Sequence, residues 1–225
     1  MGRILCTGKT EEQGVYVPEH FRESRMEILQ ALMQRHPLAT VVAVTSEGLT
    51  ANHIPLQANL AVDGKGTLRG HIARANSLWR QLPPGAPVLA VFTGADTYIS
   101  PNWYPSKREQ GKAVPTWNYA TVHVNGSIRF IEDRDWLRDF VGALTDVHEQ
   151  GRPHRWNVGD APEEYIDGML RAIVGFEIEI GSVVGKFKGS QNRSTEDRAG
   201  VHAALRSAGK DADAVAELAP GAERA

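Results

Sequence analysis

A single cysteine, Cys6, stands in the 225-residue chain, which excludes an internal disulfide framework and a cysteine-based zinc site. Long apolar runs are missing too: no stretch approaches the roughly 18 apolar residues of a membrane span, and the opening residues MGRILCTGKT lack the apolar segment of a secretory signal. A reducing, cytoplasmic location and no membrane partner are therefore expected. Nor is there a surplus of one charge. The 25 Lys and Arg against 27 Asp and Glu leave a formal net charge of -2, so no global positive field draws the chain onto nucleic acid or an acidic bilayer. No G-x-G-x-x-G follows a strand, no G-x-x-x-x-G-K-[ST] or G-x-S-x-G occurs, and His148-Glu149 lacks the second histidine of H-E-x-x-H. Dinucleotide, P-loop, serine-hydrolase and zinc-protease readings have nothing to stand on.

What is present reads as short strands and a few amphipathic helices. Residues 1–14 carry little pattern and are expected to be a flexible leader. Ile28, Leu29, Leu32 and Met33 share a helical face within Arg22 to His36, which Pro37 stops. LATVVAVT (Leu38 to Thr45), Leu49 to Gln57, Asn59 to Val62 and Thr67 to Ala73 read as strands separated by Glu47-Gly48 and Asp63-Gly64-Lys65-Gly66. ANSLWRQL (Ala75 to Leu82) suits a short helix capped by Asn76 or Ser77. Pro87 to Thr93 returns to strand. Trp117 to Val124 and Ser127 to Ile131 are predicted to form a type I′ hairpin through Asn125-Gly126. A helix is expected over Asp133 to Gln150, and another from Pro162 to about Val174, with Asp160 near its cap and Gly175 closing it. Phe176, Ile178 and Ile180 alternate with Glu177 and Glu179 as a half-exposed strand, and a last helix starts at Ser194 with Asp197 completing a capping box. About seven strands joined by turns too short for helical crossovers predict a mainly β, α+β fold: a closed or nearly closed antiparallel barrel with flanking helices. One domain is expected over 15–208, with 209–225 a frayed or disordered tail.

Four stretches carry chemistry. In Tyr98 to Val124, two aromatic clusters bracket a charged, glycine-containing loop; with Asn102, Trp103, Lys107, Trp117 and Asn118 it can grip a flat, polar-rimmed ligand, or be an aromatic crossover that merely packs. LRGHIARANSLWR (Leu68 to Arg80) delivers His71 and Arg74 to a helix start at Asn76, Ser77 and Trp79, suited to a phosphate; a satisfied core histidine and solvated arginines are the alternative. KFKGSQNR sets Lys186, Gln191, Asn192 and Arg193 around a glycine, suiting a heterocycle edge and an anion, or a solvated loop. In ANHIP, Asn52 and His53 face opposite sides of a strand, so only one looks into a barrel; His123 stands similarly in THV.

YVPEHF (Tyr16 to Phe21), ANHIPL (Ala51 to Leu56), RGHIARANSLWR (Arg69 to Arg80), YISPNWYPSK (Tyr98 to Lys107), VPTWNYATVH (Val114 to His123), LRAIVGFEI (Leu170 to Ile178) and KGSQNRSTEDRAGV (Lys188 to Val201) together resemble the PaiB family of FMN-binding negative transcriptional regulators, over Val15 to about Arg206. The resemblance implies a split-barrel flavin-binding fold and a homodimer with FMN across the subunit interface. It also implies a small-molecule ligand, with the phosphate near His71, Arg74 and Ser77 and the ring near the aromatic loop, so that Trp103, Lys107 and Trp117 border the cofactor or the space above it. Oxidoreductase or flavin-responsive regulatory activity follows. A DNA-binding repressor without redox activity is one alternative, weakly supported by the residues, because the last helix mixes Arg198 and Arg206 with Glu196 and Asp197 and no helix-turn-helix is apparent. The family also includes piperazate synthases, which use haem b with a histidine ligand for N–N bond formation; here His53, His71 and His123 are the candidates. No residue is assigned a catalytic role.

Overall fold

The computed structural model describes residues 15–219; the expected leader and the last residues of the tail lie outside them. Eight strands form one antiparallel sheet: β1 (Arg22–Glu23), β2 (Leu38–Thr45), β3 (Gly48–Pro55), β4 (Gln57–Leu60), β5 (Gly66–Ala73), β6 (Ala86–Ile99), β7 (Thr116–Ile131) and β8 (Ile173–Lys188). The hydrogen-bonded order is β3-β2-β6-β7-β8-β5-β4, with β1 added against β8. β3 and β4 are consecutive in the chain, parted only by Leu56, yet stand at opposite edges of that order. One extended run therefore pairs with β2 along its first half and with β5 along its second. The sheet curls until its edges meet, giving the barrel with flanking helices that the short turns predict.

Strand alternation fills the interior. Ala39, Val41, Ala43, Val88, Ala90, Phe92, Ala120, Val122, Val124, Phe176 and Ile178 are buried in one core. α1 (Met26–Arg35) adds Leu29, Leu32 and Met33, all fully buried, each worth about 1.5–3 kcal/mol by burial. α4 (Arg134–Glu149) and α5 (Glu163–Arg171) lie over the outer side of β5 and β8. Asp133 caps α4 by accepting from the Trp136 backbone N–H at 2.8 Å.

Several expectations need correction. No hairpin forms at Asn125-Gly126: β7 runs unbroken from Thr116 to Ile131, and the register against β8 shifts there, Asn125 facing Ser182 and Gly126 facing Ile180. Glycine serves close approach rather than a turn, since a Cβ on Gly126 would overlap the Glu179 carbonyl. Gly175 does not close a helix. It lies inside β8, where the Trp136 indole of α4 occupies the space a side chain would take. Glu177 is not half-exposed: it is buried and paired with Arg69 and Arg129. The aromatic stretch is no crossover, because β6 and β7 are antiparallel neighbours and Asp96–Ile99 pairs with Thr116–Tyr119 before the chain leaves the sheet. The short helix at Ala75 to Leu82 contracts to α2 (Leu78–Gln81), and a further short helix, α3 (Ser106–Gln110), stands between β6 and β7.

The C-terminal part differs most. α6 (Thr195–Ser207) begins at Ser194 as its capping residues indicate, but the Asp197 carboxylate turns away to accept from the Ser106 backbone N–H and hydroxyl. A further helix, α7 (Ala212–Leu218), occupies residues expected to be a frayed tail, and buries Val215 and Leu218 beside Ile99 and Tyr104. Glu217 on α7 is buried as well. It accepts from the Ala95 backbone N–H at 2.7 Å and from Arg35 at 2.9 Å, so polar groups as well as apolar ones dock the helix.

Candidate functional site

The outer side of the barrel is covered over β5 and β8 by α4 and α5, whereas the outward residues of β3, β2 and the β2-paired part of β6 are exposed or half-exposed; α7 packs against the other end of β6. There β2 is apolar on both faces: Ala39, Val41 and Ala43 point inward, while Leu38, Val42 and Val44 point out beside Leu49 of β3. Leu38 is 62%, Val44 69% and Leu49 79% exposed. A strand apolar on both faces is the pattern of burial on both sides. Across this face the pairing register sets His53, Thr40, Val91 and His123 in one row over four strands. His53 is exposed, with Nδ1 3.0 Å from the Thr40 hydroxyl. His123 is half-buried, and burial first, then the Lys186 ammonium, hold it below the ordinary histidine pKa. It is therefore neutral near pH 7, the form that accepts a hydrogen bond or binds a metal.

Along β8 from His123, three cations gather. Lys186 donates to the Tyr16 carbonyl at 2.9 Å and lies against the Tyr16 and Tyr119 rings, 5.7 and 5.4 Å from their centroids. Lys188 donates to the Thr116 hydroxyl and the Trp117 carbonyl. Arg193 lies over the Tyr104 ring, 4.9 Å from its centroid. Burial, then the Lys186 and Arg193 charges, push the Lys188 pKa down. Next to them Trp117 and Tyr98, 54% and 48% exposed, stand edge to face with centroids 6.2 Å apart.

The expected site residues thus divide. Lys186, Arg193 and Trp117 come together; Asn192 is exposed on the adjoining loop, and Gln191 holds that loop itself, accepting from the Gly189 N–H and donating to the Phe187 carbonyl. Asn118 is fully buried, donating to the Ser190 hydroxyl and the Leu218 carbonyl, so its amide faces no open surface. Trp103 is half-buried with its carbonyl against Gly200 of α6, and Lys107 donates to the Asn102 side chain at 2.6 Å. His71, Arg74, Asn76, Ser77 and Trp79 lie at the other end of β8, where β5 pairs with its first residues. His71 packs edge-on against Phe140 of α4, 5.9 Å between centroids; burial lowers its pKa, and its Nδ1 has no hydrogen-bond partner among the described residues. The Arg74 guanidinium donates to the Arg171 and Ile173 carbonyls and pairs with Glu132. Asn76, just ahead of α2, accepts from the Leu78 N–H and donates to Asn52, while Trp79 donates to the Arg74 carbonyl and Ser77, the residue at the helix cap, is exposed.

Sequence reasoning passed over Tyr119 and Tyr16, the rings that flank Lys186. Strand periodicity was signal enough for Tyr119, which shares a face with Thr121 and His123; the Tyr16 contact spans most of the chain and has no local signature. A cleft of about 520 Å³ between α1, β4 and α4 is lined by none of the expected site residues.

Comparison with known proteins accords with this layout. Residues 15–182 match the family described as "Putative FMN-binding domain". Protease synthase and sporulation protein PAI 2 of Bacillus subtilis is 32% identical over 185 residues, covering 81% of this chain and 85% of that protein. The yeast protein YKL070W of Saccharomyces cerevisiae is 33% identical over 170 residues, 67% of this chain and all of that one. Among solved structures, the FAD and haem binding protein of Mycobacterium smegmatis superposes with a TM-score of 0.57 at 22% identity, over 80% of this chain and 79% of that one. An antiparallel barrel closed by the β3–β4 run, the family match over most of its length and the likeness to PAI 2 lead to one assignment: the chain belongs to the PaiB family of FMN-binding domains, with the split-barrel fold of flavin-binding proteins.

Proposed function

We propose that the protein is a homodimer that holds FMN across the interface made by the bare outer face of β3, β2 and β6, and that it works as a flavin-dependent oxidoreductase or flavin-responsive regulator. The observation that carries this reading is β2, apolar on both faces yet covered on one. A second copy supplies the missing cover, and an isologous pairing is the common way for one surface to complete itself. The residues fit a flavin in kind. The Lys186, Lys188 and Arg193 cluster and the Ser77 hydroxyl are chemically suited to phosphate; Trp117 and Tyr98 offer ring faces; His53 and His123 offer hydrogen bonds to a heterocycle edge. Because the two groups of candidate residues stand at opposite ends of β8, a shared interface is what would let both serve one ligand.

When bound, FMN supplies the redox chemistry, transferring a hydride or single electrons. The chain's own part is binding and orientation, the exclusion of water by the apolar residues of β2 and β3, and a neutral His123 able to hold or accept a proton at the rim. The name of the PAI 2 relative speaks of protease synthesis and sporulation, which suits a regulatory output. Operator binding by the chain itself has little support, since α6 carries Glu196 and Asp197 in its first turn. The test is the absorbance of the purified protein with an FMN titration: a flavin spectrum or saturable quenching of FMN fluorescence is expected, and a colourless protein that leaves FMN fluorescence unchanged overturns the reading.

One observation favours haem b as a second reading. His123, half-buried and held below the ordinary histidine pKa, stands on the same row as His53, and either imidazole would hold the iron of a bound haem, which would supply the redox chemistry. A Soret band after haem addition, lost in His123→Ala or His53→Ala, would establish it.

A further inference from the structure

Several arginines of this fold are paired with carboxylates, while single cations such as Arg80 and Lys107 rest on neutral acceptors. Arg35 meets Glu217, Arg69 and Arg129 meet Glu177, Arg74 meets Glu132, and Arg134 and Arg138 meet Glu163. Lys186, Lys188 and Arg193 are different. Among the described residues their partners are two carbonyl oxygens, one hydroxyl and three tyrosine rings, all neutral. Three positive charges brought within electrostatic reach, two of them half-buried on one strand face, repel one another and lose part of their hydration. Here three cations are gathered together, and among the described residues no carboxylate pairs with any of them. That imbalance is relieved when an anion is bound.

We infer that Lys186, Lys188 and Arg193 form an anion subsite for a phosphate or carboxylate carried on a planar ring, the ring lying against Trp117 and Tyr98. Three features fix that ligand class. The Lys188 ammonium donates to the Trp117 carbonyl, so the cations adjoin the exposed aromatic pair. Two lysines and an arginine supply more donors than the neutral acceptors around them use, which suits an oxyanion with several lone pairs. Lys186 is held between two ring faces, so its ammonium is positioned before any ligand arrives. The inference deepens the flavin reading by assigning the subsite either to the phosphate of FMN or to the acid group of a separate aromatic substrate.

The test uses the full-length protein and four probes: FMN, riboflavin, inorganic phosphate and benzoate, followed by flavin or tryptophan fluorescence. Saturable anion binding is expected, weakened about tenfold or more in Lys188→Met and in Arg193→Met and retained in Lys188→Arg, with the thermal midpoint of each variant measured alongside. If the variants reduce the preference for FMN over riboflavin, the subsite serves the cofactor phosphate. If that preference is unchanged and benzoate binding is lost, it serves a substrate acid. Benzoate or phosphate binding lost in the variants of a protein that binds no flavin sustains the subsite while removing the flavin reading. Anion binding and flavin preference both unaltered in a folded Arg193→Met protein, or no anion binding by the wild type, overturn the inference.

Discussion

Glu177 sits between Arg69 and Arg129 in one cross-strand row, buried itself while both arginines reach solvent. Glu177→Ala leaves two like charges facing each other and is expected to cost about 1–2 kcal/mol, the exposure of the arginines keeping it well below a fully buried pair; urea unfolding midpoints measure it, and Glu177→Gln should lose less. His71 and His123 give a pH dependence. Both are held below the ordinary value of 6.5 by burial, so the unfolded chain binds protons more readily than the folded one. Their contribution is fully present above pH 6.5 and declines as pH falls towards the folded values, by at most about 1.4 kcal/mol per pH unit for each histidine. Thermal midpoints between pH 7.5 and 5 should fall, and the decline should be shallower in His71→Phe. Residue-scale chemistry was legible where it is local: Lys186, Arg193 and Trp117 were singled out by type and do gather. It was illegible for Asn118, whose amide is consumed by Ser190 and Leu218, partners far along the chain.

The elements dock through close approaches that single substitutions probe. α4 meets β8 where Gly175 leaves room for Trp136. Gly175→Ala is expected to destabilise by about 1–3 kcal/mol through overpacking, and Trp136→Ala in the same chain should recover part of that loss, so that the two changes are less than additive in a denaturation cycle. α7 is held by Glu217, which caps the Ala95 N–H in the irregular part of β6 and meets Arg35 of α1. Removing it in Glu217→Ala leaves the Ala95 backbone donor without its acceptor and Arg35 with only the longer pair to Asp213 at 3.7 Å, at a cost of about 1–3 kcal/mol. Limited proteolysis should then cut between α6 and α7 sooner than in the wild type. Helix starts were readable because capping is local, as Ser194 and Asp133 show. The Asn125-Gly126 hairpin failed because the same two residues serve a tight turn or a close strand approach, and only the neighbouring β8 backbone selects between them.

For the whole molecule the decisive surface is the uncovered face of β2 and β3. Leu49→Asp or Val44→Asp places a charge on a surface that is apolar and, in the proposed dimer, buried. Sedimentation should show a monomer, and flavin affinity should fall by about tenfold or more if the cofactor is shared. A dimer that persists with unchanged affinity in both variants would move the interface elsewhere. No described helix is long and apolar enough to cross a membrane.

The sequence by itself determined most of the strands, the starts of α4 and α6, the barrel class and the family, because each rests on short-range periodicity, local capping or extended motifs. Only the tertiary structure decided that β3 and β4 are one run closing the barrel, that Glu177 is interior, that α7 is docked and that Arg74 is engaged with backbone carbonyls. Those outcomes depend on which groups distant in the chain become neighbours, where a carbonyl or a ring competes for the same hydrogen bond or the same space, and neither residue type nor spacing encodes that competition.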